Sequence, residues 1–476
     1  MLFTSPAFMF LFLPMAMIFY VLFGKRRKKL CLGIICVVYH VLLNTSSPEN
    51  LLWLPLLTVY AFFAGELCAL KRKRAIAVIL GIVPVIWLII MRQLAYYGGD
   101  EMIYPIGITM PSLCAAAYVF DSWDDTFDNI RNSGGKWKRL VDFFGYIIFF
   151  PLMILGPFLS YEKFTRLTSD DRLVMSLDCT ASGVRYFAMG FIKRIAIGAV
   201  LIEGYGKIFA YSWESPNLAI IVFLLVILYF GVFFAVSGYY DMSAGLCLMF
   251  GANIPRIEGN PLKVATVNEY SKQLFPNVRE WSDRYVVAPI GSSLGGGQLG
   301  LLRMTSCCIC TIIFVRTDFQ TLVLCIPLIA FSVALAALKL DRGHKHGRAG
   351  LRTLFGGLTI LVLGAFWVFI TIGGGENDIT ELIELISFGN AEYQLDMILI
   401  SFSGLKYLFV SVVAFVLLLP RSERVGKLYG RMSQRARAIT DYVGMTVVLV
   451  VFVFSVMFFL PDFAKYNTQL FDYITI

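Results

Sequence analysis

The sequence is poor in charge and poorer still in histidine. Only 15% of its 476 residues are charged and 58% are hydrophobic, whereas a soluble domain keeps about a quarter of its residues charged because its surface must meet water. This composition excludes an ordinary soluble protein. The chain contains three histidines, His40, His344 and His346. Any chemistry that needs an imidazole base therefore depends on these positions.

Cysteine occurs ten times, but without the spacing of a disulfide framework. Cys307, Cys308 and Cys310 are close in sequence, yet no second pair of cysteines or histidines accompanies them, and zinc requires three or four ligands. We therefore expect these cysteines to be small apolar side chains on a packed helix, and we expect no metal site.

The hydrophobic residues form runs of about 17 to 25 residues, the length that crosses a ~30 Å hydrocarbon core as a helix. They predict an all-α, polytopic membrane protein with about ten to twelve transmembrane helices, since the strands of a barrel would alternate apolar and polar residues. No linker, repeat or low-complexity tract divides the chain, so residues 1–476 are predicted to form a single domain. The predicted spans are Pro6–Phe23, Leu30–Leu43, Leu51–Leu70, Ala75–Leu94, Phe143–Leu159, Gly183–Ile202, Leu218–Phe234, Leu299–Val315, Leu322–Leu340, Leu351–Thr371, Met397–Leu419 and Val443–Leu460.

Basic residues cluster in short loops beside the spans. Lys25–Lys29, Lys71–Arg74, Arg342–Arg352 and Arg421–Arg437 are basic, whereas Gly373–Asp396 contains no Lys or Arg. Because basic loops remain in the cytoplasm, we expect an N-terminus outside and a first span that is not a cleaved signal. The net charge of +9 then reflects membrane orientation and attraction to anionic headgroups rather than nucleic-acid binding.

Two acidic residues fall within apolar runs. Asp241 belongs to the polar stretch Ser237–Asp241, which interrupts the run from Leu218 to Phe250. A charge at membrane depth costs about 3 kcal/mol on insertion scales, so it normally faces a cavity or a partner. We expect a broken or closely packed helix lining a polar cavity here; the alternative is a short loop between two ordinary spans. For Glu66, pairing with Lys or Arg near a helix end is favoured.

Six short motifs follow one another along the chain: Thr4–Pro14, Tyr104–Ile108, Tyr118–Asp121, Phe149–Pro157, Gly190–Arg194 and Ser237–Met242. In order and spacing they resemble the motifs of the membrane-bound O-acyltransferase (MBOAT) family. The similarity is to the bacterial branch that contains alginate O-acetyltransferase and the teichoic-acid D-alanyl transferase. Ser237–Met242 is similar to the family's S-G-Y-S-D-M, with Tyr240 at the second serine.

The resemblance implies a ring of tilted helices around a thinned centre with a tunnel between the two membrane faces. An acyl thioester or acyl carrier would approach from the bacterial cytoplasm. A cell-envelope polymer, or a secreted or membrane transferase, would meet it outside. A histidine on the tunnel wall acts as the base, because imidazole with a pKa near ~6.5 can take the proton of an attacking hydroxyl. No cofactor is implied. The implied tunnel or motif residues are Gly238, Tyr239, Tyr240, Asp241, Glu269, Trp281, Tyr285, Pro289 and Gly291.

The histidines that the resemblance implies are missing. The family's E-F-W-R-R-W-H stretch is similar to the segment beginning at Glu269, and Trp281, Tyr285, Pro289 and Gly291 fix its register without a gap. Phe275 then occupies the histidine position. The second histidine position falls near Arg316. Phenylalanine has no proton-accepting atom, and arginine stays protonated, so neither residue is a general base.

The remaining histidines do not fill this gap. His344 and His346 lie in a charged loop that we expect to be cytoplasmic and solvated, and His40 lies on an apolar helix where we expect a packed or interfacial side chain. A replacement base would have to be a carboxylate, with Glu269, Glu280 and Asp241 as candidates, and its pKa would have to be raised by burial.

Three functions remain open. The first is a degenerate relative that keeps the fold and binds or passes an acyl donor or a glycan for a partner, which the missing histidines favour. The second is an active O-acyltransferase with a carboxylate base. The third is a lipid or glycan transporter, which the ordered motifs disfavour.

Single-cysteine labelling tests the predicted orientation. In a chain whose native cysteines are replaced, an impermeant thiol reagent added to intact cells should modify Thr380→Cys and leave Arg27→Cys unmodified, because only the first faces outside. Labelling of position 27 without position 380 would contradict the orientation.

Overall fold

The computed structural model describes residues 2–24, 27–45, 51–97, 107–124, 135–156, 158–169, 173, 176–212, 218–254, 262, 267–274, 276–291, 302, 305–306, 326–331, 333–334, 349–372, 409–412 and 433–459. Within these residues the regular structure is helical. The helices are α1 (Leu13–Phe23), α2 (Lys28–Leu43), α3 (Trp53–Lys71), α4 (Arg74–Tyr97), α5 (Thr109–Asp121), α6 (Lys136–Ile147), α7 (Phe150–Met153), α8 (Tyr161–Leu167), α9 (Leu177–Phe191), α10 (Val200–Ser212), α11 (Leu218–Met249), α12 (Val267–Leu274), α13 (Pro276–Ser282), α14 (Ala288–Gly291), α15 (Ala349–Ile372) and α16 (Gln434–Phe459).

Three π-helical segments extend these helices: Phe8–Phe12 leads into α1, Ile192–Ala199 joins α9 to α10, and Asp283–Val287 joins α13 to α14. The aromatic side chains of the first segment form part of the core. Phe8 and Phe12 lie 5.7 and 5.4 Å, between ring centroids, from Tyr39 of α2. The N-terminal motif is therefore a packing element.

The all-α membrane architecture is confirmed. In the part of the chain that the structure describes, four helices are long and apolar enough to span a bilayer, at Trp53–Lys71, Arg74–Met91, Ile221–Met249 and Ile439–Met457. Phe8–Phe23 and Leu354–Val368 are shorter apolar helices. The total of ten to twelve spans and the central tunnel remain predictions.

The predicted span at residues 143–159 is wrong. The structure divides this region between the end of α6, the single turn α7 and a segment leading to α8. Proline at position 151 and the non-helical backbone of Phe149, with a ψ of 95°, end the helical run. An apolar run of this length here forms a buried, irregular part of the core.

Helix α5, which is buried, was not predicted from the sequence. Its thirteen residues are too few for a span, yet most of its side chains are buried between α3 and α4. Small residues allow this close packing. The Cβ that Gly65 of α3 lacks would lie 2.9 Å from the Ser122 hydroxyl at the end of α5.

The predicted interruption at Ser237–Asp241 is wrong as well, because α11 is one continuous helix of 32 residues. At 1.5 Å per residue this helix is about 48 Å long, more than the ~30 Å hydrocarbon core. The polar residues do not break the helix because they meet partners on neighbouring elements. The expectation of close packing at this site is correct.

The close packing comes from glycines that line the contact between two antiparallel helices. They lie at positions 183, 190 and 198 on the α9–π–α10 rod, and at 231, 238 and 245 on α11. A Cβ on Gly238 would lie 2.6 Å from the carbonyl oxygen of Gly190, and one on Gly245 would lie 2.6 Å from that of Gly183. The two backbones therefore touch, as glycines permit in membrane helices. We call this contact the glycine seam.

The π-helical segment keeps the glycine seam in register. Glycines on α11 repeat every seven residues, whereas eight residues separate Gly190 from Gly198. A π-helical insertion absorbs one additional residue. As a result Gly198 still faces α11, where its missing Cβ would lie 2.8 Å from the Ala235 nitrogen.

Ion pairs hold α6 across the ends of α2 and α3. The Lys29 ammonium lies 2.7 Å from the Asp142 carboxylate, and the Arg139 guanidinium lies 3.0 Å from the Glu66 carboxylate. The pairing predicted for Glu66 is thereby confirmed. We call this the basic end of the bundle, since it contains the basic residues 27–29 and 71–74.

A substitution in the glycine seam should destabilise the fold. Gly245→Ala places a methyl group against the Gly183 carbonyl and the Phe187 nitrogen, both 2.6 Å away, and should lower the free energy of unfolding by about 1–3 kcal/mol. The matched control is Gly33→Ala in α2, where a Cβ meets nothing within 4 Å. Equilibrium unfolding in detergent measures both. Equal effects of the two substitutions would contradict the close contact.

Candidate functional site

Asp241 is buried in α11 and forms an ion pair with Lys193 of the π-helical segment. The carboxylate is 1% exposed, and its Oδ2 atom accepts a hydrogen bond from Lys193 Nζ at 2.6 Å. A buried carboxylate without a cationic partner would be strongly destabilising. Asp241 therefore faces protein, and a polar partner lies within hydrogen-bond reach.

Arg194, the next residue on the π-helical segment, is fully buried. Its guanidinium carbon lies 5.5 Å from the centroid of the Tyr239 ring, a cation–π distance. The Tyr239 ring in turn lies 6.5 Å from that of Phe3, beside the first motif. Three motifs that are far apart in sequence thus meet around α11.

Helix α7 and the segment that follows it are held by two polar side chains. The Ser243 hydroxyl donates to the Pro151 carbonyl. The amide of Asn277, which is 2% exposed, donates to the Gly156 carbonyl and accepts from the Phe158 nitrogen at 2.7 Å. The motif at residues 149–157 is thereby fixed to α11 on one side and to α13 on the other.

The motif stretch at residues 269–291 folds as α12, α13, a π-helical segment and α14. The Trp281 indole nitrogen donates to the Leu113 carbonyl at 3.2 Å, and the Tyr285 hydroxyl donates to Asp121 Oδ2 at 2.9 Å. Burial raises the pKa of the Tyr285 phenol well above its ordinary value, so Tyr285 keeps the proton that it donates. These contacts tie the stretch to α5 at two points, Leu113 and Asp121.

The other residues predicted for this stretch lie nearer the surface. Glu269 is half-buried in α12, and Pro289 is exposed in α14, which ends at Gly291. Tyr270, beside Glu269, is buried and accepts a hydrogen bond from the Trp367 indole at 2.8 Å. This bond connects α12 to α15.

The positions expected for the family's histidines, Phe275 and Arg316, lie outside the described residues, as do His344, His346 and the three clustered cysteines. His40 is described: it is buried in α2, with Nδ1 3.3 Å from the Asn44 amide nitrogen. The packed side chain predicted for His40 is confirmed.

The candidate carboxylate bases differ in access. Glu280 forms an ion pair with Lys163 of α8, and its side chain is 47% exposed, whereas Asp241 is buried. Glu280 lines an open groove of about 580 Å³ at the surface of α13. The other lining residues are Lys163, Lys272, Pro276, Arg279, Asp283 and Arg284. Of the two carboxylates, Glu280 is the one that a solute can reach.

Sequence reasoning missed Asn277 and Lys163 as site residues. Asn277 follows Pro276, which begins α13, and a proline at a helix start is a recognisable signal. That signal predicts the start of the helix but not the partners of the Asn277 amide. Nothing in the sequence around Lys163 indicates its pairing with Glu280, which lies 117 residues away.

The structure thus defines a helical membrane protein whose distant motifs converge on buried polar contacts. Comparison with known proteins identifies its class: the MBOAT, membrane-bound O-acyltransferase family matches residues 49–306, more than half of the chain. The chain belongs to this family, and the resemblance read from the motifs is confirmed.

Individual relatives are similar at low identity. The chain is 25% identical over 317 residues to a "Probable alginate O-acetylase AlgI" of Pseudomonas aeruginosa, a match that covers 62% of this chain and 58% of that protein. A relative of the same name from Azotobacter vinelandii is 25% identical, with 62% and 60% covered. A "Peptidoglycan O-acetyltransferase" of Helicobacter pylori is 20% identical over 339 residues, with 62% of each chain covered.

Breaking the Lys193–Asp241 pair should destabilise the protein. Asp241→Asn leaves the ammonium without its counter-charge and should lower the free energy of unfolding by about 3 kcal/mol. Replacing both residues, as Lys193→Met with Asp241→Leu, should restore part of this loss because no charge is then buried.

A matched control is the exposed pair of Arg166 with Glu162, whose charged atoms also lie 2.6 Å apart. Arg166→Gln should change the free energy of unfolding by less than about 0.5 kcal/mol. Equilibrium unfolding in detergent compares the variants, and equal effects of Asp241→Asn and Arg166→Gln would contradict the role assigned to the buried pair.

Proposed function

We propose that this chain takes part in the O-acylation of an extracytoplasmic polymer of a bacterial cell envelope, in the cytoplasmic membrane. In this proposal the chain binds or passes the acyl donor and the acceptor for a partner, without a histidine base of its own. Membership of the MBOAT family supports the reaction class, and the names of the alginate and peptidoglycan relatives support the kind of acceptor.

The observation that carries the proposal is the residue at the histidine position. The motif around Phe275 keeps its register. The residues on both sides are fixed by specific hydrogen bonds. The Trp367 indole donates to Tyr270, and Asn277 donates to the Gly156 carbonyl and accepts from the Phe158 nitrogen. A phenylalanine cannot accept the proton of an attacking hydroxyl. Binding and positioning do not need that proton transfer, and positioning alone lowers a barrier substantially.

The basic end is the side on which we place the acyl thioester or acyl carrier. Lys and Arg mark the cytoplasmic side of a membrane protein. Arg284, which lines the groove beside Glu280, donates to Asp121 at the end of α5 at 2.9 Å. The adjacent Ser122 lies against Gly65 of α3, next to Glu66 of the basic end. We place the polymer, or a secreted or membrane transferase, on the opposite side.

An active O-acyltransferase with a carboxylate base is the second candidate. The accessibility of Glu280 in the groove favours it over Asp241, which is buried in its ion pair. Membership of the MBOAT family argues against the third reading, a lipid or glycan transporter.

Acyl transfer by the purified chain tests the proposal. With a labelled short-chain thioester and a polysaccharide acceptor, the unmodified protein should transfer no label above background. Phe275→His, alone and with Arg316→His, should increase transfer, because a general base contributes about two to four orders of magnitude in rate. Membranes that contain the complete envelope system should lose polymer acylation when this chain is removed.

The controls separate the two candidates. Turnover by the unmodified protein that survives Phe275→Ala and disappears in Glu280→Gln would identify a carboxylate base and overturn the degenerate reading. Lys163→Gln, which removes the partner of Glu280 and keeps the carboxylate, shows whether a loss arises from the base or from the ion pair. Gel filtration of every variant checks that it is folded.

A further inference from the structure

Helix α6 has one face inside the protein and one face outside it. Phe143 is fully buried, with its ring centroid 4.1 Å from that of Tyr118 in α5 and 6.2 Å from that of Phe62 in α3. On the opposite face Trp137 is 81% exposed and Val141 is 61% exposed. A helix of twelve residues is about 18 Å long, too short to cross a bilayer. Its exposed apolar side chains therefore do not belong to a membrane span.

The contacts of α6 with α3 show where its first turn lies. Phe62 packs against Phe143, and Glu66, one turn further along α3, pairs with Arg139, one turn earlier in α6. The two helices therefore run in opposite directions along this contact. As a result the start of α6 is directed toward the end of α3 and the basic loop at residues 71–74.

The surface formed by the start of α6 and the end of α3 is strongly basic. Helices α3 and α6 contain one acidic residue each, Glu66 and Asp142, and these form ion pairs with Arg139 and Lys29. The first turn of α6 contains no acidic residue. The exposed basic residues here are Lys71, Arg72, Lys73, Arg74, Lys136 and Lys138. We call these six residues, with Trp137 and Val141, the α6 surface.

Apolar and cationic side chains are interleaved on the α6 surface and beside it. Trp137 lies between two lysines in sequence, and Leu70, which is 78% exposed, directly precedes Lys71. Leu70 is at the end of α3, a helix long and apolar enough to span a bilayer. The α6 surface therefore lies where a membrane span meets a row of cations.

This combination fits the interface of a membrane. Tryptophan is enriched at the level of the lipid headgroups, and lysine side chains extend their ammonium groups toward water and phosphate while their methylenes stay among apolar atoms. Clusters of cations next to a membrane span attract anionic lipids. An acidic soluble protein would complement the cations, but it would not provide the apolar environment that Leu70 requires at the end of a span.

We propose that the α6 surface binds the headgroups of anionic phospholipids in the leaflet at the basic end of the bundle. Helix α6 then lies in the headgroup region, where Trp137 and Val141 contact the first carbons of the acyl chains. The six cations contact the lipid phosphates. The proposal goes beyond the proposed function and holds whether or not the chain takes part in acylation.

Quenching of Trp137 by brominated lipid tests the proposal in the purified full chain, reconstituted in phosphatidylcholine vesicles. The emission of Trp137 is the difference between the unmodified chain and Trp137→Phe, which separates it from that of the other tryptophans. Brominated phosphatidylglycerol should quench this emission more strongly than an equal fraction of brominated phosphatidylcholine, because the anionic lipid is enriched beside the ring. Dissolved acrylamide should quench it less than it quenches a free tryptophan amide, because the ring lies among lipids.

The double variant Lys136→Gln with Lys138→Gln removes two cations of the α6 surface and keeps the ring. Measured with and without Trp137→Phe, it should lower the preference for phosphatidylglycerol at this site by about threefold or more. Sodium chloride at ~1 M should also weaken the preference of the unmodified chain, because the screening length falls to about 3 Å.

The matched control is Arg166→Gln with Lys207→Gln, which also removes two cations from the chain. These two cations are already neutralised by Glu162 and Glu203, at 2.6 and 2.8 Å. The control should therefore leave the preference measured at Trp137 unchanged.

Four results would each contradict the proposal. Brominated phosphatidylglycerol quenches Trp137 no more than brominated phosphatidylcholine does, the Lys136–Lys138 variant keeps the full preference, or the control lowers it equally. The fourth is quenching of Trp137 by acrylamide as strong as that of the free amide, which would place the α6 surface in water and indicate an acidic soluble protein as its partner. Envelope acylation by membranes that lack the chain bears on the proposed function alone.

Discussion

Direct backbone contact between the α9–π–α10 rod and α11 is the constraint on which the site depends. The contact at Gly190 and Gly238 brings the π-helical segment against α11, so that Lys193 reaches Asp241 and Arg194 lies over Tyr239. The ion pair in turn makes a carboxylate tolerable inside a membrane helix, and α11 stays continuous. Polar residues that would otherwise end a span here become part of its packing.

The length of the hydrophobic runs predicted several helices correctly and two features of the fold incorrectly. Hydrophobic length located α2, α3, α4 and α15 to within three residues, because in lipid only an internally bonded helix satisfies the backbone. It located the end of α16 but not its start, which lies nine residues before the predicted span. The same rule produced a false span at residues 143–159, since apolar side chains there fill a protein core. It also placed a break in α11, because sequence does not reveal that Lys193 approaches Asp241 from another helix.

The motifs predicted the family, but not the contacts that join one motif to another. The motifs identified Asp121, Tyr285 and Trp281. The hydrogen bonds from Tyr285 to Asp121 and from Trp281 to the backbone of α5 became visible only in the structure. Asn277, which joins two motifs, carried no comparable signal. Long-range polar contacts of this kind depend on tertiary approach, for which no local pattern in the sequence exists.

The glycine seam has a consequence for how such proteins diverge. Its glycines and the neighbouring Lys193 and Asp241 are needed to assemble the bundle, whether or not any reaction occurs in it. A lineage that loses its imidazole base therefore still experiences selection on these positions, while the base itself is free to drift. Substitution at a reactive position therefore changes the chemistry that such a bundle supports and leaves its helix contacts intact.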